Sequence, residues 1–343
     1  MTEKRKTLAD AGEYDFIRLI RTEMPADGGF FLRSAGDDCL VAEGFSGKNI
    51  ISTIDTFVEG IHFTKGLMTF FETGARCMAA SVSDIAAMSG EPAFSLVSLS
   101  MPDNLELENA LGLFKGLNTT AINYGCPVAG GETTSTTGPV VISVTVIGTT
   151  DMGKAIYRNG AKPGESIYVS GFVGSAMGGL LALEKNENGF EFLKNRFIAP
   201  DARVKLSKKL TKNFKISSMI DLSDGIAADI ANICRESRCG AELYLNSLPL
   251  HEELKTLTIK YGFDCNDFAL SSGEDFELLF TSPDNRLAEV SSVEEIKISK
   301  IGKITGISGE INTIDKNNKI IPLKTKGYEH FKRAVKKSIF TRP

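Results

Sequence analysis

The sequence predicts an α/β chain in two halves, and three observations carry that reading. Apolar runs with a period of two alternate with helical stretches along its 343 residues. A turn-rich segment, Tyr157-Arg158-Asn159-Gly160-Ala161-Lys162-Pro163-Gly164, interrupts the alternation near the middle. Acidic residues recur in short turns marked by glycine, serine and threonine, most of them beside β-type apolar runs. The expected division is 1–150 and 151–343, in keeping with the usual prior of about two domains for this length.

In the first half, strands are expected over 49–54, 93–100 and 140–148. The last shows the clearest alternation, at Val140, Ile142, Val144 and Val146. An alanine-rich stretch over 72–88 reads as a helix closed by Ser89-Gly90, with Pro92 beyond. A second helical pattern runs over 105–124 and stops at Gly125. In the second half, a strand over 166–170 leads through a glycine-rich turn into a helix over 175–185. A helix over 201–210 follows. Met219-Ile220 enters the Asp221 turn and a helix to about 238, and later strands are expected over 242–245 and 277–281.

Composition narrows the function classes. With 42% hydrophobic and 24% charged residues the chain is ordinary for a globular protein. A net charge of −4 offers no basic field for nucleic acid. The apolar runs are strand-length, far short of a membrane span, and the charged stretch Met1–Asp10 does not read as a secretory signal. Six cysteines without a Cys-x-x-Cys pair read as buried thiols of a reducing compartment, so the cytoplasm is the expected location.

The acidic turns carry the chemistry. They are Gly36-Asp37-Asp38, Thr53-Ile54-Asp55-Thr56, Ser81-Val82-Ser83-Asp84, Gly130-Gly131-Glu132-Thr133-Thr134, Asp221-Leu222-Ser223-Asp224-Gly225 and Ser272-Gly273-Glu274-Asp275. The first five each have a bland reading: Gly-Asp-Asp is good turn chemistry, Asp55 suits a cap, and Asp84 suits an N-cap where one helix breaks into two. Gly130-Gly131 suits a strained loop, and Ser223 or Asp224 suits the cap of the next helix. Several carboxylates at strand ends nevertheless form the oxygen-rich environment that magnesium and its phosphate ligands require. Asp84 stands out, because a charge among so many small residues is costly to bury unless it is paired or metal-bound. The Ser170–Ser175 turn lacks the P-loop and Rossmann spacings and reads as a tight packing turn.

In this order the motifs resemble the thiamine-monophosphate kinase family, related to the aminoimidazole ribonucleotide and selenophosphate synthetases, over about residues 15–331. Asp55-Thr56-Phe57-Val58-Glu59-Gly60-Ile61-His62-Phe63, Arg158 to Gly164, Gly273-Glu274-Asp275-Phe276-Glu277-Leu278 and Lys326-Gly327-Tyr328-Glu329-His330-Phe331 are the most specific segments. The resemblance implies a two-domain PurM-like α/β (α+β) fold. Its N-terminal domain would add strands to a barrel in a homodimer, and its C-terminal domain would be an α/β sandwich. It implies direct transfer of the γ-phosphoryl of ATP to thiamine phosphate, assisted by several magnesium ions. Asp38, Asp55, Asp84, Glu132, Asp221 and Asp224 would be magnesium ligands, with oxygens from Thr53 and Ile54. Asp55, Asp84 and Asp221 would stand at the centre of catalysis. Phe114, Gly131, Arg158 and Ser223 would contact nucleotide, and His62, Glu274 and Tyr328 would hold thiamine phosphate.

This sequence departs from the family pattern at four places. Glu132 stands where aspartate is usual, Ile54 where a hydroxyl residue is frequent, and Phe114 where tyrosine is frequent. The segment 198–203 lacks the first arginine of the family's arginine–proline motif. Two rival readings stand beside the kinase. One is a sister synthetase, against which no cysteine precedes Cys39. The other is a catalytically silent nucleotide-binding subunit, for which Glu132 speaks.

Overall fold

The computed structural model describes residues 31–33, 37–44 and 46–323. Gly36 and the segment that carries Tyr328 lie outside them. The first sheet has six strands: β1 (Phe31–Arg33), β2 (Leu40–Glu43), β3 (Lys48–Val58), β4 (Glu91–Met101), β5 (Val128–Ser135) and β6 (Val141–Asp151). Their spatial order is β1-β2-β3-β6-β4-β5, and every pairing is antiparallel except β4 with β5. The alternation read from Val140 to Val146 is real: Ile142, Val144 and Val146 are buried and the residues between them half-buried. Two helices, α1 (Phe70–Ala87) and α2 (Leu107–Asn123), cover the buried face, where Met78, Val82 and Ile85 pack on Val97, Ile142 and Val144.

Helix α1 is one unbroken helix, and this corrects the idea of a break at Asp84, which lies in its last turn. It begins with a capping box, in which Thr69 Oγ1 accepts from the Glu72 amide and Glu72 accepts from the Thr69 amide. It approaches α2 very closely. A Cβ added at Gly74 would lie 2.1 Å from the Leu113 carbonyl oxygen, and one at Gly116 would lie 1.9 Å from that of Phe71. Two glycines at the crossing therefore set the spacing of the helix layer.

The second sheet holds β7 (Ser166–Ser170), β8 (Ser218–Asp221), β9 (Gly240–Tyr244), β10 (Leu278–Ser282), β11 (Ser292–Val293), β12 (Ile296–Thr305), β13 (Ile311–Ile314) and β14 (Ile320–Pro322). The order is β14-β13-β9-β12-β7-β10-β8, with β11 on β12 and a parallel pairing between β9 and β13. Strands β7 and β10 inside the sheet and β8 at its edge are buried almost throughout, as expected for a sheet covered on both faces. On one face lie α6 (Ile226–Ser237) and α8 (Cys265–Ser271), and on the other α5 (Val204–Asn213). Helices α3 (Ser175–Glu184), α4 (Glu191–Ile198) and α7 (Glu252–Tyr261) form a further cluster with α8. No helix among the described residues is long and apolar enough to cross a membrane.

Several expected boundaries move. Strand β3 continues to Val58, so Asp55 is inside a strand and not at its end. The Gly130–Thr134 motif lies within β5, paired in parallel with β4, and is not a loop. Helix α5 starts at Val204, and α4, α7, α8 and β12 to β14 had no counterpart in the sequence reading.

The close α1–α2 crossing yields a stability test. Gly74→Ala and Gly116→Ala each force a methyl onto a backbone carbonyl, and each should cost about 1–3 kcal/mol by chemical denaturation. A variant as stable as wild type would show that the helices part without strain.

Candidate active site

Three carboxylates meet where the two sheets adjoin. Asp38 lies just before β2, Asp84 in the last turn of α1, and Asp221 at the end of β8. One oxygen from each falls within 4.8 Å of the others. Asp38 and Asp221 are buried and Asp84 is half-buried. Thr53 Oγ1 donates to Asp84 at 2.5 Å. Asp55 shares its cross-strand row with the buried Val144 and Val97, so it faces the helix layer that carries Asp84. Burial pushes Asp84 well above the ordinary carboxylate range, and the charges of Asp55, Asp221 and Asp38 push it further. Asp221 is raised in the same way by burial and by Asp38. Burial also raises Asp55, against the Ser81 hydroxyl.

Arg158 is the cation at this cluster. Its Nε and Nη2 donate to the two oxygens of Asp38 at 3.1 and 3.0 Å, a forked pairing. Its amide donates to Asp37 at 3.1 Å, and Arg33 reaches the same carboxylate at 3.2 Å. Burial, and then the charge of Asp38, still push Asp37 up to about 7 against both arginines.

The opposite wall pairs two motifs that are some fifty residues apart in the chain. The amide of Glu274 donates to the Ser223 carbonyl at 2.9 Å and that of Phe276 to Leu222 at 3.0 Å, while the Leu222 amide donates to Glu277 at 2.8 Å. Glu274 and Phe276 take left-handed backbone angles, with φ of 64° and 50°, a costly conformation held by these bonds. Neither Ser223 nor Asp224 caps α6. Instead Asp229 Oδ2, from inside the helix, accepts from the amides of Asp224 and Gly225 at 3.3 and 3.1 Å. Asp275 accepts from the Gly174 and Ala176 amides at 2.6 and 2.9 Å, so the protein's own carboxylate occupies the N-terminus of α3. Glu277 is buried and bound by Arg203 (2.8 Å to Nε), Arg196 (2.9 Å) and Ser170 (2.5 Å). Burial alone would raise Glu277, but the bonds and charge of Arg203 and the charge of Arg196 hold it below its usual value.

The other expected residues divide between the two sides. Phe114, Gly131 and Glu132 line one cavity of about 410 Å³ with Val97, Leu99 and Val128. Glu132 is not brought to the three aspartates. It pairs with Ser98 in the row that runs through Ser143 to Thr56, next to the row of Asp55 and three strands from β3, and it accepts from the Thr133 amide at 2.9 Å. The Ile54 side chain is 66% exposed in the row of Thr145 and Leu96, so an oxygen ligand there is its carbonyl. His62 Nδ1 accepts from the Val58 amide at 3.0 Å, which leaves Nε2 to carry the proton of a neutral ring. Glu274 is paired with Arg76 at 3.1 Å. Sequence reasoning missed Arg76, Asp229, Arg196 and Arg203. Asp229 had a local signal, a carboxylate one turn into the helix that follows the Asp221 motif, and Arg203 stood in the 198–203 segment without a role.

Residues 36–150 match the family model for the AIR synthase related protein N-terminal domain, and residues 162–312 that for its C-terminal domain. The chain is 32% identical to the thiamine-monophosphate kinase of Bacillus subtilis, covering 87% of this chain and 93% of that protein. It is 32% identical to the thiamine-monophosphate kinase of Aquifex aeolicus, covering 94% and 99%. A solved structure described as AaThiL complexed with AMPPCP and TMP superposes with a TM-score of 0.82 at 29% identity, covering 95% and 99%.

Asp275 gives a pH test. Burial pushes it up to about 7, although the Ala176 and Gly174 amides and Arg196 oppose the shift. A carboxyl whose folded pKa exceeds its unfolded value costs stability as pH rises between the two. Between about pH 4 and pH 7, Asp275→Asn should therefore gain stability relative to wild type, with a flat difference below pH 4. A difference independent of pH would contradict the assignment.

Proposed function

The chain belongs to the thiamine-monophosphate kinase family, and from that premise we infer how its site works. The protein phosphorylates thiamine phosphate with ATP, giving thiamine diphosphate and ADP. The observation that carries the reading of the site is the meeting of Asp38, Asp84 and Asp221 within 4.8 Å. An octahedral magnesium ion has oxygens at about 2.0–2.1 Å, so two opposite ligands lie roughly 4 Å apart. The observed spacing needs only small side-chain shifts to reach that geometry. An all-oxygen donor set also suits a hard cation over zinc. Burial and the charges around them make Asp84 and Asp221 poor anions until a cation joins them.

Asp38, Asp84 and Asp221 would hold magnesium, with Asp55, Asp224, Thr53 and the Ile54 carbonyl completing the environment. Magnesium bound there would neutralise the charge on the transferring phosphates. Strands three apart are separated by roughly 14 Å, so a magnesium ion held by Glu132 is a separate one. More than one ion fits a chain that has no P-loop lysine. Phe114 and Gly131 line the nucleotide cavity, where the phenylalanine ring offers a stacking face to the base. Arg158 and Ser223 would reach its phosphates. His62, Glu274 and Tyr328 would hold thiamine phosphate, the tyrosine offering its face to a cationic ring. The residues thus bind and align donor and acceptor, and phosphoryl transfer asks little more of a protein.

We assign the protein to a cytoplasmic homodimer on the same reading. Ile54 and Leu96 share an outward cross-strand row of the first sheet, and with Phe94 they are exposed on the face away from α1, which supports a partner there.

In a coupled assay of ADP release with product analysis, thiamine phosphate should be converted and unphosphorylated thiamine should not. Equal rates for both acceptors would sink the reading. Asp84→Asn should lower kcat by roughly 100-fold or more, the usual scale for losing an electrostatic group of this kind. Its circular dichroism should stay native. Near wild-type turnover at limiting magnesium would remove Asp84 from the metal site.

A further inference from the structure

Three acids stand close together in the loop opposite the carboxylate cluster: Glu274, Asp275 and Glu277. Two are committed to structure. Asp275 caps α3 and Glu277 is bound by two arginines and a serine. Of the three, Glu274 alone keeps solvent access, its side chain 30% exposed and paired with Arg76. Arg76 is itself only 4% exposed. Its guanidinium lies over the Phe197 ring at 4.1 Å and within 5.9 Å of the Phe276 ring, and Nη1 donates to the Phe197 carbonyl. Nη2 lies 3.1 Å from Glu274 Oε2 but has no aligned hydrogen-bond acceptor among the described residues. Glu274 is thus held by charge without being locked in direction.

We propose that Arg76 is the positioning residue for the phosphate acceptor, setting the place of Glu274 without touching the ligand. The proposal rests on the reading of Glu274 as a contact of thiamine phosphate. Two rigid attachments make Arg76 a fixed point. Phe197 holds its guanidinium, and its backbone belongs to α1, the helix that also carries Asp84. Two helical turns separate them, about 12 Å along the axis. One helix thus ties the acceptor contact to the metal-side carboxylate at a set distance. The opposite anchor is the left-handed Glu274 backbone, bound to the Ser223 carbonyl. Without the guanidinium, the carboxylate would swing into water. That change weakens its hold on a cationic, amino-bearing acceptor and leaves the nucleotide side untouched.

The test is a cycle of Arg76→Met, Arg76→Lys, Glu274→Gln and the doubles. KM is measured separately for thiamine phosphate and ATP, acceptor binding by calorimetry without ATP, and Tm for each protein. Arg76→Met should raise the acceptor KM and Kd about tenfold while the ATP KM stays within about twofold, and Arg76→Lys should recover part of the loss. Once Glu274 is glutamine, the Arg76 change should add little, because the two residues act as one unit. If Arg76→Met fails to fold, the Arg76→Lys and Glu274→Gln cycle decides the question in the same way. Additive effects, an equal rise in both KM values, or a lower Tm with unchanged acceptor binding would make Arg76 a structural lock only. A wild-type protein without turnover of thiamine phosphate would instead overturn the functional reading beneath it.

Discussion

Everything in this molecule is organised around the repulsion of aspartates gathered at one point. Two full charges 4.8 Å apart, the upper limit of the spacing among Asp38, Asp84 and Asp221, repel by roughly 3–4 kcal/mol at the effective dielectric of a protein interior. Burial adds to this cost, so Asp84 and Asp221 resist ionisation. Arg158 offsets part of it through its fork on Asp38. The remaining negative potential is what draws a hard cation and, with it, a polyphosphate. A site that is unfavourable by itself and favourable when loaded couples ligand binding to the stability of the folded state.

Such a cluster persists only in a stiff frame. Each aspartate comes from a different element, and those elements are fixed by features remote from the chemistry. The glycine crossing of α1 and α2 fixes the spacing between the helix that carries Asp84 and its neighbour. The bonds of Asp229 to the Asp224 and Gly225 amides shape the turn after Asp221. The buried Glu277, with Arg203 and Arg196, secures the loop beside it. Removing one partner from a buried ion pair of this kind typically costs about 3–5 kcal/mol. The left-handed Glu274 and Phe276 backbones show that the frame holds strain where the acceptor would sit.

Much of this was legible in the sequence, and the failures have physical causes. The period of two in β6, the glycine stop after α2 and the strand-to-helix turn at Asp221 are local signals, and each was read correctly. Asp55 was read as a strand end, yet pairing with β6 carries β3 on to Val58. Gly130-Gly131 argued against a strand, but the parallel ladder with β4 overrides that propensity. The motifs named Asp38, Asp84 and Asp221, and the fold brings them together. Glu132 was expected among them and lies three strands from β3, a separation that strand order sets and that no motif encodes. Arg76 and Arg196 left no trace, and Arg203 showed only as the end of segment 198–203 with no role attached, because a buried ion pair between residues about 70 to 200 positions apart has no local pattern.

The most direct measurement is the position of bound metal. Crystals grown with manganese and a non-hydrolysable ATP analogue would locate the ions by anomalous scattering. A peak within about 2.2 Å of oxygens from Asp38, Asp84 and Asp221 is expected, that being close to the distance for a hard divalent cation. Metal bound elsewhere, with Asp38 still forked to Arg158 and the three aspartates without an ion, would contradict the claim that this cluster exists to hold one.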